Sequence, residues 1–353
     1  MRRRGRVAAG AALAAALSSG GAACRHRAPA LAPGSALQVR MDVREADLAL
    51  AVADARDDAG RDSAWRLLLA TDGYRRLAER ESSFRRTIPD SAFLAFLRSD
   101  TLRARVPALR ATLAEWRRTD VTAAAGRALA YLPPGGTLRA TMYLMVKPRT
   151  NSFVYDLARD PAIFMYVDPA KSRAQLENTL AHELHHVGLN GACGAAAPAD
   201  SARPAAVRAA ARWSSAFGEG VAMLAAAGGP AVHPHATSPD SDHARWDRDV
   251  SNAPDDLRRV ERFFTDVLDG RLADADSQRT VGMSFFGATQ GPWYTVGWLM
   301  ARTIETTLGR ERLIASLCDG PALLAAYNEA AARRNAAGEQ LPLWSPALLE
   351  RLR

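Results

Sequence analysis

Residues 182–186 read His-Glu-Leu-His-His, and no other stretch restricts the fold of this chain as much. In the pattern H-E-x-x-H, His182 and His186 stand four positions apart, with Glu183 beside the first. That spacing has a chemical use on a helix, where positions i and i+4 share a face. Two imidazoles there can hold one Zn²⁺, and the adjacent carboxylate can reach a water beside it. The chain has seven histidines, and three fall within these five residues. A chance match in such a composition is expected on the order of once in a hundred chains of this length. The pattern therefore calls for a helix, a third ligand and an open coordination position.

The surroundings predict the helix. Asp168-Pro169 offers one start, and Ser172 with Gln175 offers another as a capping box. Leu176, Leu180, Leu184 and Val187 then recur at helical spacing. At 100° per residue the histidine pair lies about 140° from the centre of that stripe. Gly188 and Gly191 are the expected stop. The competing reading is a pair of surface histidines on an amphipathic helix.

The N-terminus reads as an address, not as fold. Residues 1–6 carry four arginines, 7–17 are short and apolar, and 18–23 are all small. That is the layout of a bacterial secretory signal at 1–23, too short for a membrane-spanning helix. Cys24 follows Gly-Ala-Ala and resembles the lipobox cysteine of bacterial lipoproteins, except that Gly21 stands where leucine is usual. The expectation is an exported protein of the bacterial cell envelope. It is anchored through a lipid on Cys24, or otherwise periplasmic or secreted. Residues 24–41 then read as a flexible tether. Removing 1–23 lowers the formal net charge from +8 to +4. Apart from Lys147 and Lys171 every basic residue is arginine, spread along helices and interleaved with acids. That is the pattern of solvated helix faces, and it predicts no nucleic-acid partner. If Cys24 is acylated, Cys193 and Cys318 remain, either as a disulfide or as two buried thiols.

Apolar spacing predicts helices over 45–56, 63–81, 90–98, 102–118 and 121–131, which form an N-terminal helical region, 42–132. Pro133-Pro134-Gly135-Gly136 breaks the chain. Strands follow at 138–146, 153–155 and 163–167, the last running into the His182 helix. Further helices are expected over 204–227, 255–269, 292–308, 310–317, 322–336 and 346–352. The fold class is mainly α with a small β-sheet (α+β). The region 133–353 carries the catalytic motif, as a separate domain or continuous with 42–132.

A catalytic zinc site has three protein ligands and one water. The extended metzincin pattern needs glycine at 189 and histidine at 192; Leu189 and Ala192 exclude it. Glu219, in Phe217-Gly218-Glu219-Gly220-Val221, is the strongest third ligand. Two glycines in an alanine-rich helix each cost about 1 kcal/mol against alanine, and close approach to the metal helix would explain both. Asp247, Asp249 and Glu261 are weaker candidates.

His-Glu-Leu-His-His followed by Gly-Glu-Gly-Val-Ala resembles the gluzincin metallopeptidases. Gly291-Pro292-Trp293-Tyr294-Thr295-Val296-Gly297-Trp298 is similar to a signature of bacterial zinc-dependent peptidases largely without assigned substrates. The resemblance spans about residues 140–330. It implies a zincin-like core, in which an edge strand above the cleft can pair with an extended peptide. It also implies one Zn²⁺ on His182, His186 and Glu219, with Glu183 as general base and a peptide or protein as substrate. Thermolysin-like members carry an aspartate four residues after the ligand glutamate, to support a histidine. Met223 stands there, which leaves Asn178 or Asn190 for that role. Tyr294 is the candidate donor to the oxyanion, with His233, His235 and His243 as alternatives and solvent loop as their plainer fate. His185 is expected to be a neighbour, not a ligand. A second class remains: a catalytically silent zinc-binding envelope lipoprotein that binds peptide or a partner protein.

Overall fold

A computed structural model describes residues 37–194, 203–287 and 290–353; the leader 1–23 and Cys24 lie outside them. The described chain opens on strand β1 (Leu37–Asp42), so the last part of the expected tether is ordered sheet. β1 pairs in parallel with a strand far downstream, Leu37 opposite Leu138 through Asp42 opposite Tyr143, and no local signal announces such a partner. Seven helices follow: α1 (Arg44–Ala53), α2 (Asp58–Leu69), α3 (Asp72–Ser83), α4 (Asp90–Leu97), α5 (Asp100–Arg103), α6 (Val106–Trp116) and α7 (Val121–Leu129). Two of the expected long helices are pairs. The Thr71 hydroxyl accepts from Tyr74 N–H and starts α3 afresh, and Pro107, lacking an N–H, sits in the first turn of α6.

Strands β2 (Leu138–Met145), β3 (Phe153–Tyr155) and β4 (Ala162–Tyr166) complete a sheet of order β1-β2-β4-β3. β1, β2 and β4 are parallel; β3 is an edge strand antiparallel to β4. Alternation along β2 and β4 sorts their side chains. Met142, Leu144 and Ile163 join the core that includes the metal helix, while Tyr143, Met145 and Phe164 pack with Leu77 of α3. Both faces are covered, which is why these strands read as near-continuous apolar runs.

The histidine helix is α8 (Arg173–Gly194). After it come α9 (Ala205–Ser214), a single 3₁₀ turn (Ser215–Phe217), α10 (Gly218–Ala227), α11 (Asp240–Ser251), α12 (Ala253–Leu268) and α13 (Ala275–Ser284). The chain closes with α14 (Pro292–Leu308), α15 (Arg310–Ser316), α16 (Gly320–Ala336) and α17 (Pro346–Leu352). The expected helix over 204–227 is thus two helices joined by a turn. α11 and α13, polar on much of their surface, carry too weak an apolar stripe to be read from spacing. None of the described helices is long and apolar enough to cross a membrane.

Two main cores result. One packs α1–α7, the sheet and α8. The other packs α9 through α17. The 42–132 helices have no core of their own; Leu109, Leu113 and Ala124 share theirs with Leu144 and Leu184. Cys193 at the end of α8 and Cys318 beyond α15 form a disulfide across the two halves, with a sequence separation of 125.

Candidate metal centre

The start of α8 is a reciprocal cap. Ser172 N–H donates to Gln175 Oε1 at 2.8 Å, and Gln175 N–H donates to Ser172 Oγ at 3.2 Å. Asp168 instead closes the preceding turn, accepting from Ala170 N–H at 3.0 Å. Leu176, Leu180 and Leu184 are fully buried, stabilising α8 by roughly 2 kcal/mol each. That burial fixes which face the histidines present. The helix does not stop at Gly188 or Gly191. A Cβ on Gly188 would lie 2.2 Å from Leu132 Cδ1 and 2.7 Å from Leu138 Cδ2, so this glycine lets α8 press against the sheet.

His182 and His186 project together, rings perpendicular within 14° and centroids 4.7 Å apart. Glu219, in the first turn of α10, meets both. Its Oε2 lies 3.2 Å from His182 Nε2 and 3.3 Å from His186 Nε2, and the two Nε2 atoms are 3.0 Å apart. With metal–ligand bonds near 2.0–2.1 Å, tetrahedral donors sit about 3.3 Å from one another. The three donor atoms fit a tetrahedral Zn²⁺. Among the described residues this is the one group of three His, Cys, Asp or Glu donors gathered within 4.8 Å. The weaker candidates are engaged elsewhere: Asp247 with His233 at 3.2 Å and Glu261 with Ser345 N–H at 2.9 Å. Asp249 lines a separate pocket with Arg245 and Asn252.

Electrostatics follow from this gathering. Burial pushes the Glu219 carboxyl up, but the two imidazoles outweigh it and hold the group well below the ordinary carboxylate range. Glu183 is buried and its Oε2 has no protein partner. Burial raises its pKa, opposed by His182 and His186. Tyr294, in the first turn of α14, hydrogen-bonds Glu219 through its hydroxyl, and its ring stacks on His182 with centroids 6.3 Å apart. Burial and then Glu219 push its phenol well above the usual value. His185 is fully buried outside the triad, held neutral as burial lowers it to about 3.

The Gly-Glu-Gly motif has a different cause from the one expected. A Cβ on Gly220 would lie 2.0 Å from Trp298 N and 2.5 Å from Tyr294 O. On Gly297 it would lie 2.5 Å from Phe217 O. The close approach is therefore between α10 and α14, not between α10 and the metal helix. Gly218 meets α8 only at ordinary contact, 3.9 Å from Leu189 Cδ2. The crossing at Gly220 and Gly297 brings Tyr294 onto Glu219. Glycines in two separate helices, each disfavoured by propensity, were the available signal for it.

Neither asparagine supports a histidine through the bonds of its amide. Asn178 Nδ2 donates to Pro234 O at 3.4 Å and Asn190 Nδ2 to Leu157 O at 3.2 Å. Met223 receives the Gln290 amide at 3.5 Å, and Gln290 Oε1 lies 2.7 Å from His235 Nε2. His235 is buried in this contact and is not in solvent. His233 stacks on His243, centroids 3.7 Å apart. None of these three histidines joins the triad.

A family model described as "Putative zinc dependent peptidase (DUF5700)" matches residues 65–336, a span that includes every residue of this centre. The chain belongs to this family. No curated protein matches the chain, and no solved structure does. In this family member, the ligand set is consistent with the zinc in the family's description.

Proposed function

We propose that this protein is a zinc peptidase that hydrolyses peptide bonds, with His182, His186 and Glu219 as ligands and Glu183 as general base. The donor triangle with edges of 3.0–3.3 Å, beside a buried carboxylate with a partnerless oxygen, carries the reading. When bound, Zn²⁺ would lower the pKa of a water toward ~7 and polarise the scissile carbonyl. Glu183 accepts the proton of the attacking water and returns it to the leaving amine. Tyr294, kept protonated by its surroundings, donates its hydroxyl proton to Glu219 and orients that ligand; it is our candidate to turn from Glu219 to the oxyanion as the reaction proceeds. The outer edge of β3 pairs with no other described strand and is free to take an extended peptide main chain. We place the protein outside the cytoplasm, tethered through Cys24. The Cys193–Cys318 disulfide supports an oxidising compartment.

The test is cleavage of a peptide library by wild type and Glu183→Gln, both loaded with zinc. Cleavage is expected from wild type, with kcat reduced about 10²–10⁴-fold in the variant. Stoichiometric zinc without cleavage by either protein would favour the silent binding reading.

A further inference from the structure

The two helices that carry the metal ligands also wall a cavity of about 150 Å³. On α8, Asn178 lines it one turn before His182, about 6 Å along the axis, and Ala174 lines it two turns before, about 12 Å along. On α10, Ala226 and Ala227 line it two turns after Glu219, about 10–12 Å along. Measured on either helix, the cavity therefore begins within one or two turns of the ligands. Arg127, in the last turn of α7, and the loop from Val232 to Thr237 complete the lining. That loop is tied to α8 by the bond from Asn178 Nδ2 to Pro234 O. Val232 and Thr237 are exposed, so the cavity has a rim in solvent.

Arg127 is the charge in this lining that no carboxylate answers. A guanidinium has five N–H donors, and one here donates to Glu177 O at 3.0 Å. Its Nε is buried and has no partner, and no Asp or Glu among the described residues pairs with it. The other charged groups of the lining are engaged. Glu177 is taken by Arg173 at 3.5 Å and by Asp120 N–H at 3.3 Å. His233 uses both ring nitrogens: Nδ1 accepts from His235 N–H at 3.0 Å, and Nε2 meets Asp247 at 3.2 Å. A tie between α7 and α8 needs only the N–H on Glu177 O and does not require the half-buried guanidinium to lack a counter-charge. Buried donors in folded proteins are nearly always paired, and a carboxylate is the partner that matches a planar guanidinium.

We propose that this cavity is a substrate subsite in which Arg127 binds a carboxylate about two to four residues from the cleaved bond. An extended peptide rises about 3.3 Å per residue, so an offset of about 6–12 Å from the ligands spans that number. The inference rests on the peptidase reading and adds a substrate class: peptides that carry an acidic side chain, or their free C-terminus, at that distance. Arg127 touches none of the reacting atoms.

The test uses the zinc-loaded full chain and peptides that share a cleavage site. One glutamate is moved through the second to fourth positions on either side, with glutamine as the control. At one position glutamate is expected to lower KM about tenfold against glutamine, the worth of one charge-assisted contact. In Arg127→Met, which keeps the apolar stem, that ratio is expected to fall to within about twofold of unity, and Arg127→Lys is expected to restore part of it. Should Arg127→Met fail to fold, Thr237→Glu at the exposed rim offers Arg127 a carboxylate from the chain itself and is expected to abolish the same ratio. Repeating the series with C-terminal amides separates the two sources. A ratio that persists assigns the carboxylate to a side chain; a KM rise on amidation that Arg127→Met removes assigns it to the terminus. Calorimetry on Glu183→Gln reads the same ratios in binding, without turnover. Cleavage by wild type with no preference for a carboxylate in either place, or a preference unchanged in Arg127→Met and Thr237→Glu, would overturn the subsite. Arg127-dependent binding of the acidic peptide with no cleavage by wild type would leave the subsite standing and overturn the peptidase reading, and absence of both cleavage and binding would overturn both.

Discussion

The two halves that meet at the metal centre are packed differently. The half carrying His182 and His186 is mainly aliphatic, its sheet and helices filled by leucine, methionine, valine and alanine. The half carrying Glu219 and Tyr294 is built on aromatic rings, with Phe217, Phe263, Phe264, Trp293 and Trp344 in mutual contact. The His182–His186 edge of the donor triangle lies within one half, and the two edges to Glu219 measure how the halves sit on each other. A change at the seam should therefore disturb metal binding and stability together. A change inside one half should act mainly on stability.

The disulfide offers the largest break at the seam. Cys193→Ser opens a cross-link between residues separated by 125 positions, and a loss of about 2–5 kcal/mol is expected in urea unfolding. Zinc affinity should weaken in the same variant, because α8 loses its tie to the other half. Unchanged zinc affinity would show that the seam is held by packing alone.

Gly220→Ala comes next. The added Cβ would meet backbone at 2.0 Å, which no side-chain rotation relieves, so the destabilisation should reach or exceed the ~1–3 kcal/mol usual for overpacking. Tyr294 should move off Glu219 as the helices part, visible as a loss of activity larger than the loss of stability explains.

Lys147 sharpens the comparison on the aliphatic side through pH. Burial pushes its ammonium down to about 7 from an ordinary 10.5. Between those values the unfolded chain binds the proton and the native protein does not, so this group makes stability rise with pH across that window. Glu45, raised by burial to about 8, acts in the opposite sense. Its native form keeps a proton that the unfolded chain has lost, and that stability drains away from about pH 4.5 to 8. The difference in melting temperature between wild type and Lys147→Met should shift in favour of wild type from pH 7 to 10. A difference independent of pH would mean that Lys147 stays charged in the native state.

Gly218→Ala should have the smallest effect. Its Cβ meets nothing closer than 3.9 Å, and helix propensity favours alanine by several tenths of a kcal/mol. Two glycines flanking one glutamate should thus respond with opposite signs, and a large loss at Gly218 would contradict the packing described for α10.

Where the local code and the tertiary contact agreed, the chain could be read in advance. Ser172 and Gln175 cap α8 as their spacing suggests, and Gly291-Pro292 and Ser345-Pro346 open α14 and α17 at the expected places. The triad was legible because helical spacing and metal chemistry restrict the same residues. β1 was hidden because its pairing partner is distant and a Pro-rich stretch precedes it. The glycines of α8 suggested an end, but burial of the leucine stripe against sheet and α7 carries the helix through them. Gly220 looked like a contact with the metal helix, since nothing local distinguishes which neighbour a glycine admits. The buried Lys147 gave no motif at all: its acceptors are mostly backbone carbonyls, which every residue has.

The central claim is that histidines from one half and a glutamate from the other share one metal. Elemental analysis of purified wild type and Glu219→Ala, dialysed against a weak chelator, tests it most directly. One zinc per chain is expected in wild type, and a large loss in Glu219→Ala without a change in helical content. No zinc in wild type, or full retention in a folded Glu219→Ala, would contradict the account.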